Sequence, residues 1–113
     1  MLTINDLREF GANVDEGLGR CLNNEAFYLR LVGKALADGN FDKLSAAVAA
    51  GDMDAGFETA HTLKGVLANL ALTPILDPVS QMTELFRRKE AGDYAGLLRT
   101  VLAERDRLLS LME

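Results

Sequence analysis

The 113-residue sequence predicts an all-α fold: an antiparallel up-and-down four-helix bundle with short extra helices on its N-terminal side. Three observations predict it. Leu and Ala dominate a chain that has no Trp and only 6% aromatic residues, a bias toward helix over strand. Apolar residues recur at three-and-four spacing almost throughout, and no segment alternates with period two over the length of a strand. The breaks between periodic segments are short, and long helices joined by short connections are expected to pack antiparallel.

The elements follow in order. Thr3 or Asn5 can cap a short first helix through Ile4, Leu7 and Phe10, and Gly11 can stop it. Asp15-Glu16 opens a helical turn or two that includes Leu18, Cys21 and Leu22. Asn23-Asn24-Glu25 interrupts the pattern, since Asn caps well and Glu suits a first turn. A longer helix then carries Phe27, Tyr28, Leu31, Val32, Ala35 and Leu36, and Asp38-Gly39-Asn40 reads as a turn. Phe41 to Ala50 forms the next helix, with Leu44, Ala47 and Val48 inward and Gly51 as its stop. Asp52 or Asp54 starts a helix that runs to about Leu72. Thr73-Pro74 and Asp77-Pro78 are both cap-then-proline pairs. The first reads as a turn and the second as the start of a helix through Val79, Met82, Leu85 and Phe86. Gly92-Asp93 precedes the last helix, which uses Tyr94, Leu97, Leu98, Val101, Leu102, Leu108, Leu109 and Met112.

Length and composition set bounds on function. One domain is expected over residues 1–113, with a bundle core at about 24–112. A net charge of −5 makes nucleic acid and anionic lipid poor partners. The single cysteine, Cys21, cannot form an internal disulfide, which fits a reducing cytoplasm, and its apolar helical setting marks it as a small core residue. Residues 1–6 lack the basic start and apolar stretch of a signal peptide, and no run reaches the roughly 18 apolar residues needed to span a bilayer. A cytoplasmic monomer, free-standing or part of a longer chain, is expected.

The informative stretch is Ala60-His61-Thr62-Leu63-Lys64-Gly65-Val66-Leu67-Ala68-Asn69-Leu70. At 3.6 residues per turn, Ala60, Leu63, Leu67 and Leu70 form a core stripe. His61, the only histidine, lies well away from that stripe. Phe57, Lys64, Gly65, Ala68 and Leu72 fall around it, while Glu58, Thr62 and Asn69 make a separate polar strip. Glycine inside a helix costs roughly 1 kcal/mol against alanine, so Gly65 needs a reason. A missing side chain there lets another molecule come close to the imidazole. The alternative is close packing against a neighbouring helix, which the position of Gly65 off the core stripe disfavours. Lys64 can reach the same point as a cation suited to phosphate. A neutral imidazole keeps one lone pair as a nucleophile. Phosphoryl transfer asks for positioning and charge stabilisation more than for covalent work by the protein.

His61-Thr62-Leu63-Lys64-Gly65, continuing into Ala68-Asn69-Leu70, resembles the signature of histidine-containing phosphotransfer (HPt) domains. Asn24-Glu25-Ala26-Phe27-Tyr28 and Gly92-Asp93 also fit, so the resemblance extends over roughly residues 13–112. It implies that His61 is the phosphoacceptor, through Nε2, that Lys64 stabilises the phosphoryl group and that Gly65 admits the partner. It implies response-regulator receiver domains as partners, together with a hybrid histidine kinase in some systems, and Mg²⁺ supplied by the receiver. Family members often place a glutamine of the following helix against the histidine. That position falls near Thr83, with Gln81 the nearest glutamine, and a basic residue one turn later is matched by Arg87. Val66, Leu67 and Ala71 depart from the usual pattern without removing a reacting group.

Other chemistries lack their residues. One histidine and one cysteine are too few for a metal site in a bundle. No glycine-rich nucleotide motif is present, so no ATP site and no kinase activity are expected. Phe57, Glu58, Ala68, Leu72, Thr83 and Arg87 remain candidates for docking or for support of His61. The readings to separate are a phosphocarrier, a receiver-binding adaptor that is never phosphorylated, and the phosphoacceptor part of a larger kinase.

Overall fold

A computed structural model describes residues 1–112, which form seven helices and no strand. They are α1 (Ile4–Phe10), α2 (Val14–Arg20), α3 (Glu25–Leu36), α4 (Asn40–Ala50), α5 (Met53–Asn69), α6 (Thr73–Arg88) and α7 (Tyr94–Leu111).

Local chemistry sets most of the boundaries. Thr3 and Asp6 form a reciprocal capping box at α1, each side chain accepting from the other's backbone N–H. The side chains of Asn13, Asn24, Asp52 and Asp93 accept the backbone N–H three residues on and start α2, α3, α5 and α7. Gly11 (φ 105°) and Gly51 (φ 65°) end α1 and α4 in the left-handed region, where glycine carries no Cβ penalty.

Helices α4, α5, α6 and α7 close a ring: α4 packs on α5, α5 on α6, α6 on α7 and α7 back on α4. Leu44, Leu63, Leu67, Val79, Met82, Val101 and Leu108 fill its centre, all buried. Helix α1 rests on α7 and α2, and α2 rests on α3. The buried side chains of α1–α3, among them Leu7, Phe10, Val14, Tyr28 and Val32, join the ring's core in one cluster. Cys21 is buried in it, as its sequence setting implies. No helix among the described residues is long and apolar enough to cross a membrane.

Four expectations need correction. Helices α3 and α4 do not pair side by side, although only three residues join them. The link Ala37–Gly39 is as short as a hairpin would need, yet α4 packs on α5 and α7 instead of on α3. Helix α5 ends at Asn69 instead of about Leu72, because Ala71 turns left-handed (φ 55°). Helix α6 starts at the first proline pair, with Pro74 in its first turn, and runs straight through Pro78. Pro78 costs α6 the hydrogen bond that a backbone N–H there would have given to the Pro74 carbonyl, and its burial offsets that loss. Leu22 falls outside α2 in the left-handed region (φ 59°) and is exposed.

Candidate functional site

Helix α5 carries the site, and its two faces differ as the spacing implies. Gly56, Thr59, Ala60, Leu63 and Leu67 are buried, while His61, Thr62, Gly65 and Asn69 are exposed. Lys64 and Ala68 are half-buried beside them. Thr62 turns its hydroxyl back onto the helix and donates to the Glu58 carbonyl at 2.9 Å.

His61 projects from the middle of α5, too far from either end for the helix dipole to act on it. Its imidazole makes no hydrogen bond and no ion pair among the described residues. Its one ring contact is Phe57, a turn earlier: the centroids lie 5.5 Å apart and the planes are 13° from parallel. The Arg87 guanidinium of α6 sits over the same Phe57 ring, 5.0 Å from its centroid. Arg87 is paired with Glu84 at 3.3 Å, and the neighbouring Lys89 with Asp54 at 3.3 Å. These exposed pairs contribute little to stability, but they orient the basic end of α6 along the edge of the His61 face. Asp54, Phe57, Glu58, Phe86, Arg87 and Lys89 line a shallow groove there.

The space beside the imidazole is clear. A Cβ built on Gly65 would meet no atom within 4 Å. Close packing against a neighbouring helix is therefore not the reason for this glycine. Gly56, in the same helix, is the opposite case: a Cβ there would collide with the Phe86 ring. Lys64 forms no ion pair among the described residues, so its ammonium is available to an anion.

Helix α5 thus gathers Phe57, Glu58, His61, Lys64, Gly65 and Ala68 on its outer side, and α6 adds Arg87. Two candidates fail. Leu72 is fully buried (0% exposed), because the helical projection that put it beside His61 stops applying after Asn69. Thr83 is also fully buried (0% exposed), and its hydroxyl donates to the Val79 carbonyl at 2.8 Å, so it offers neither docking surface nor a free polar group. Gln81 lines a separate groove with Ser80, Glu84, Leu85, Arg88 and Glu90. The Glu58 carboxylate makes no hydrogen bond to His61.

Sequence reasoning left Phe57 between a peripheral core residue and part of an apolar docking patch and overlooked its stack on His61, although aromatic pairs four residues apart on a helix do meet. It also overlooked Gly56, whose place on the core stripe was the available signal. The hold of Arg87 on Phe57 joins two helices and has no local signature.

No curated protein and no solved structure matches the chain. A family model described as the Hpt domain matches residues 34–111, later in the chain than the segment near residue 13 where the resemblance was expected to begin. The match spans the whole α4–α7 ring and every site residue just described. Members of that family are phosphocarrier modules that work with response-regulator receiver domains. The chain belongs to the Hpt domain family and takes part in phosphorelay signalling.

Proposed function

We propose that His61 accepts a phosphoryl group from the aspartyl phosphate of one receiver domain and passes it to the aspartate of another. The observation that carries this reading is an exposed imidazole with no hydrogen bond or ion pair among the described residues and open space beside it at Gly65. The Nε2 lone pair forms the N–P bond as the P–O bond of the acyl phosphate breaks, and the donor aspartate leaves as a carboxylate. The Nδ1 proton remains on the ring, which is then cationic until that proton is lost to solvent. Lys64 offsets the charge on the transferring group, and the receiver brings the Mg²⁺ and the acidic site around it. The chain is a carrier without a kinase site of its own. Receivers reach it alone or as parts of a hybrid kinase, in the cytoplasm, with α4–α7 as an up-and-down antiparallel scaffold.

The test is transfer from a phosphorylated receiver. Label that is acid-labile, base-stable and absent from His61→Ala is the expected result. Receiver binding with no label on His61 would replace this reading with that of a docking adaptor.

A further inference from the structure

Something must aim the imidazole, because its reactive lone pair lies in the ring plane and a freely turning ring spends most of its time misdirected. The usual device is a hydrogen bond to one ring nitrogen, and here none is present among the described residues. Thr83 stands at the expected place on α6 but is buried with its hydroxyl on Val79, and the Glu58 carboxylate makes no bond to the ring. The one group set against the imidazole is Phe57, nearly parallel to it at 13° and half-buried between α5 and α6. The Arg87 guanidinium sits over the Phe57 ring, 5.0 Å from its centroid, and is itself paired with Glu84.

We propose that Phe57 is a positioning residue for phosphoryl transfer: its stack fixes the plane of the His61 ring, and Arg87 fastens Phe57. This rests on the reading of His61 as phosphoacceptor. An aromatic face restrains the tilt of the ring and leaves both nitrogens unbonded. Nε2 therefore stays open to the incoming phosphorus, and Nδ1 stays open to solvent. The arrangement suits a carrier that must both take and give up the same group, since no hydrogen bond has to break and re-form as the ring changes charge.

The test uses the full chain with phosphoramidate, a small donor that needs no receiver. The N–P bond to His61 forms as the donor's own N–P bond breaks and ammonia leaves. Labelling rates are read beside the NMR signals of the His61 ring protons, which a parallel aromatic neighbour displaces by its ring current. Phe57→Leu is expected to slow labelling roughly three- to tenfold, the scale of an aromatic pair, and to abolish the displacement. Phe57→Tyr is expected to keep the displacement and to label within about twofold of wild type. If Phe57→Leu does not fold, Arg87→Gln, which keeps the Phe57 side chain but removes its fastening, should still reduce the displacement and the rate together. A Phe57→Leu protein that folds and labels at the wild-type rate would overturn the role of Phe57 alone. Slow labelling with an undisturbed ring signal, or failure of Phe57→Tyr to restore the rate, would overturn it as well. A wild-type chain that takes no label on His61 would instead overturn the phosphoacceptor reading, and the positioning role with it.

Discussion

Gly56 and Gly65 both lie inside α5, where glycine costs about 1 kcal/mol relative to alanine. At Gly56 an added Cβ runs into the Phe86 ring, so Gly56→Ala should destabilise the fold by about 1–3 kcal/mol in denaturant unfolding. At Gly65 the same atom meets nothing, so Gly65→Ala should raise stability by up to ~1 kcal/mol through helix propensity alone. Opposite signs for the two variants are the expectation, and a loss at both would show that Gly65 also serves the fold. Gly65→Gln should keep the helical circular dichroism and still slow transfer from a receiver by about tenfold or more, equivalent to losing about 1.4 kcal/mol of productive docking. Unchanged transfer in that variant would refute the access role. Single residues were legible as far as helical geometry reaches. His61, Lys64 and Gly65 could be set on one outer face from spacing alone, and Leu72 could not, because the geometry ends at Asn69.

Helix α5 keeps its shape at the far end through bonds from outside the matched segment. The Asn13 N–H donates to the Ala71 carbonyl at 3.0 Å, Arg20 donates to the Ala68 carbonyl and the Tyr28 hydroxyl donates to the Leu70 carbonyl at 2.8 Å. Carbonyls in the last turn of a helix have no partner within it, and here Asn13, Arg20 and Tyr28 supply partners to three of the residues that close α5. Burial, reinforced by Cys21, pushes the Tyr28 hydroxyl from 10.0 up to about 12. The folded state thus holds this proton more tightly than the unfolded chain does. Its contribution is complete below pH 10 and is lost as pH rises from about 10 through about 12. Tyr28→Phe should lower stability by about 1–3 kcal/mol at neutral pH, since the buried Leu70 carbonyl loses its donor. The gap between variant and wild type should narrow across the alkaline window, as urea unfolding at pH 9 and pH 11 would measure. A gap independent of pH would mean that Tyr28 titrates alike in both states. Element boundaries were legible where a cap bonds the backbone three residues on, as at Thr3, Asn24 and Asp52. They were misread where the chain's direction depends on packing. Two proline pairs look alike in sequence, and only the seat of Pro78 in the core shows that the helix passes through it.

On the scale of the molecule, the site and the brace occupy different parts of the chain. Every site residue lies in the α4–α7 ring, whereas Leu2, Leu7, Phe10, Val14 and Cys21 cover the ring and α3 from the N-terminal side. Arg107 ties the two parts together, donating to the Phe10 carbonyl at 2.9 Å with its guanidinium 4.3 Å from the centroid of the Phe10 ring. Because the buried side chains form one continuous cluster, the whole chain should unfold in a single transition, seen alike by circular dichroism and by the His61 ring signals. Deleting residues 1–23 removes those five buried side chains together with the bonds from Asn13 and Arg20. Each buried aliphatic or aromatic side chain contributes about 1.5–3 kcal/mol, and about 1 kcal/mol moves the midpoint of a domain this size by roughly 4–8 °C. Together the five side chains contribute at least about 7 kcal/mol, so the truncated chain should melt at least about 30 °C below the full one. Held well below that midpoint, it should still take up label on His61, because Phe57, Lys64, Gly65 and Arg87 and the helices that carry them remain. An unchanged midpoint would separate the N-terminal helices from the cooperative core. Loss of labelling in a still-folded truncated chain would show that the brace also shapes the His61 face.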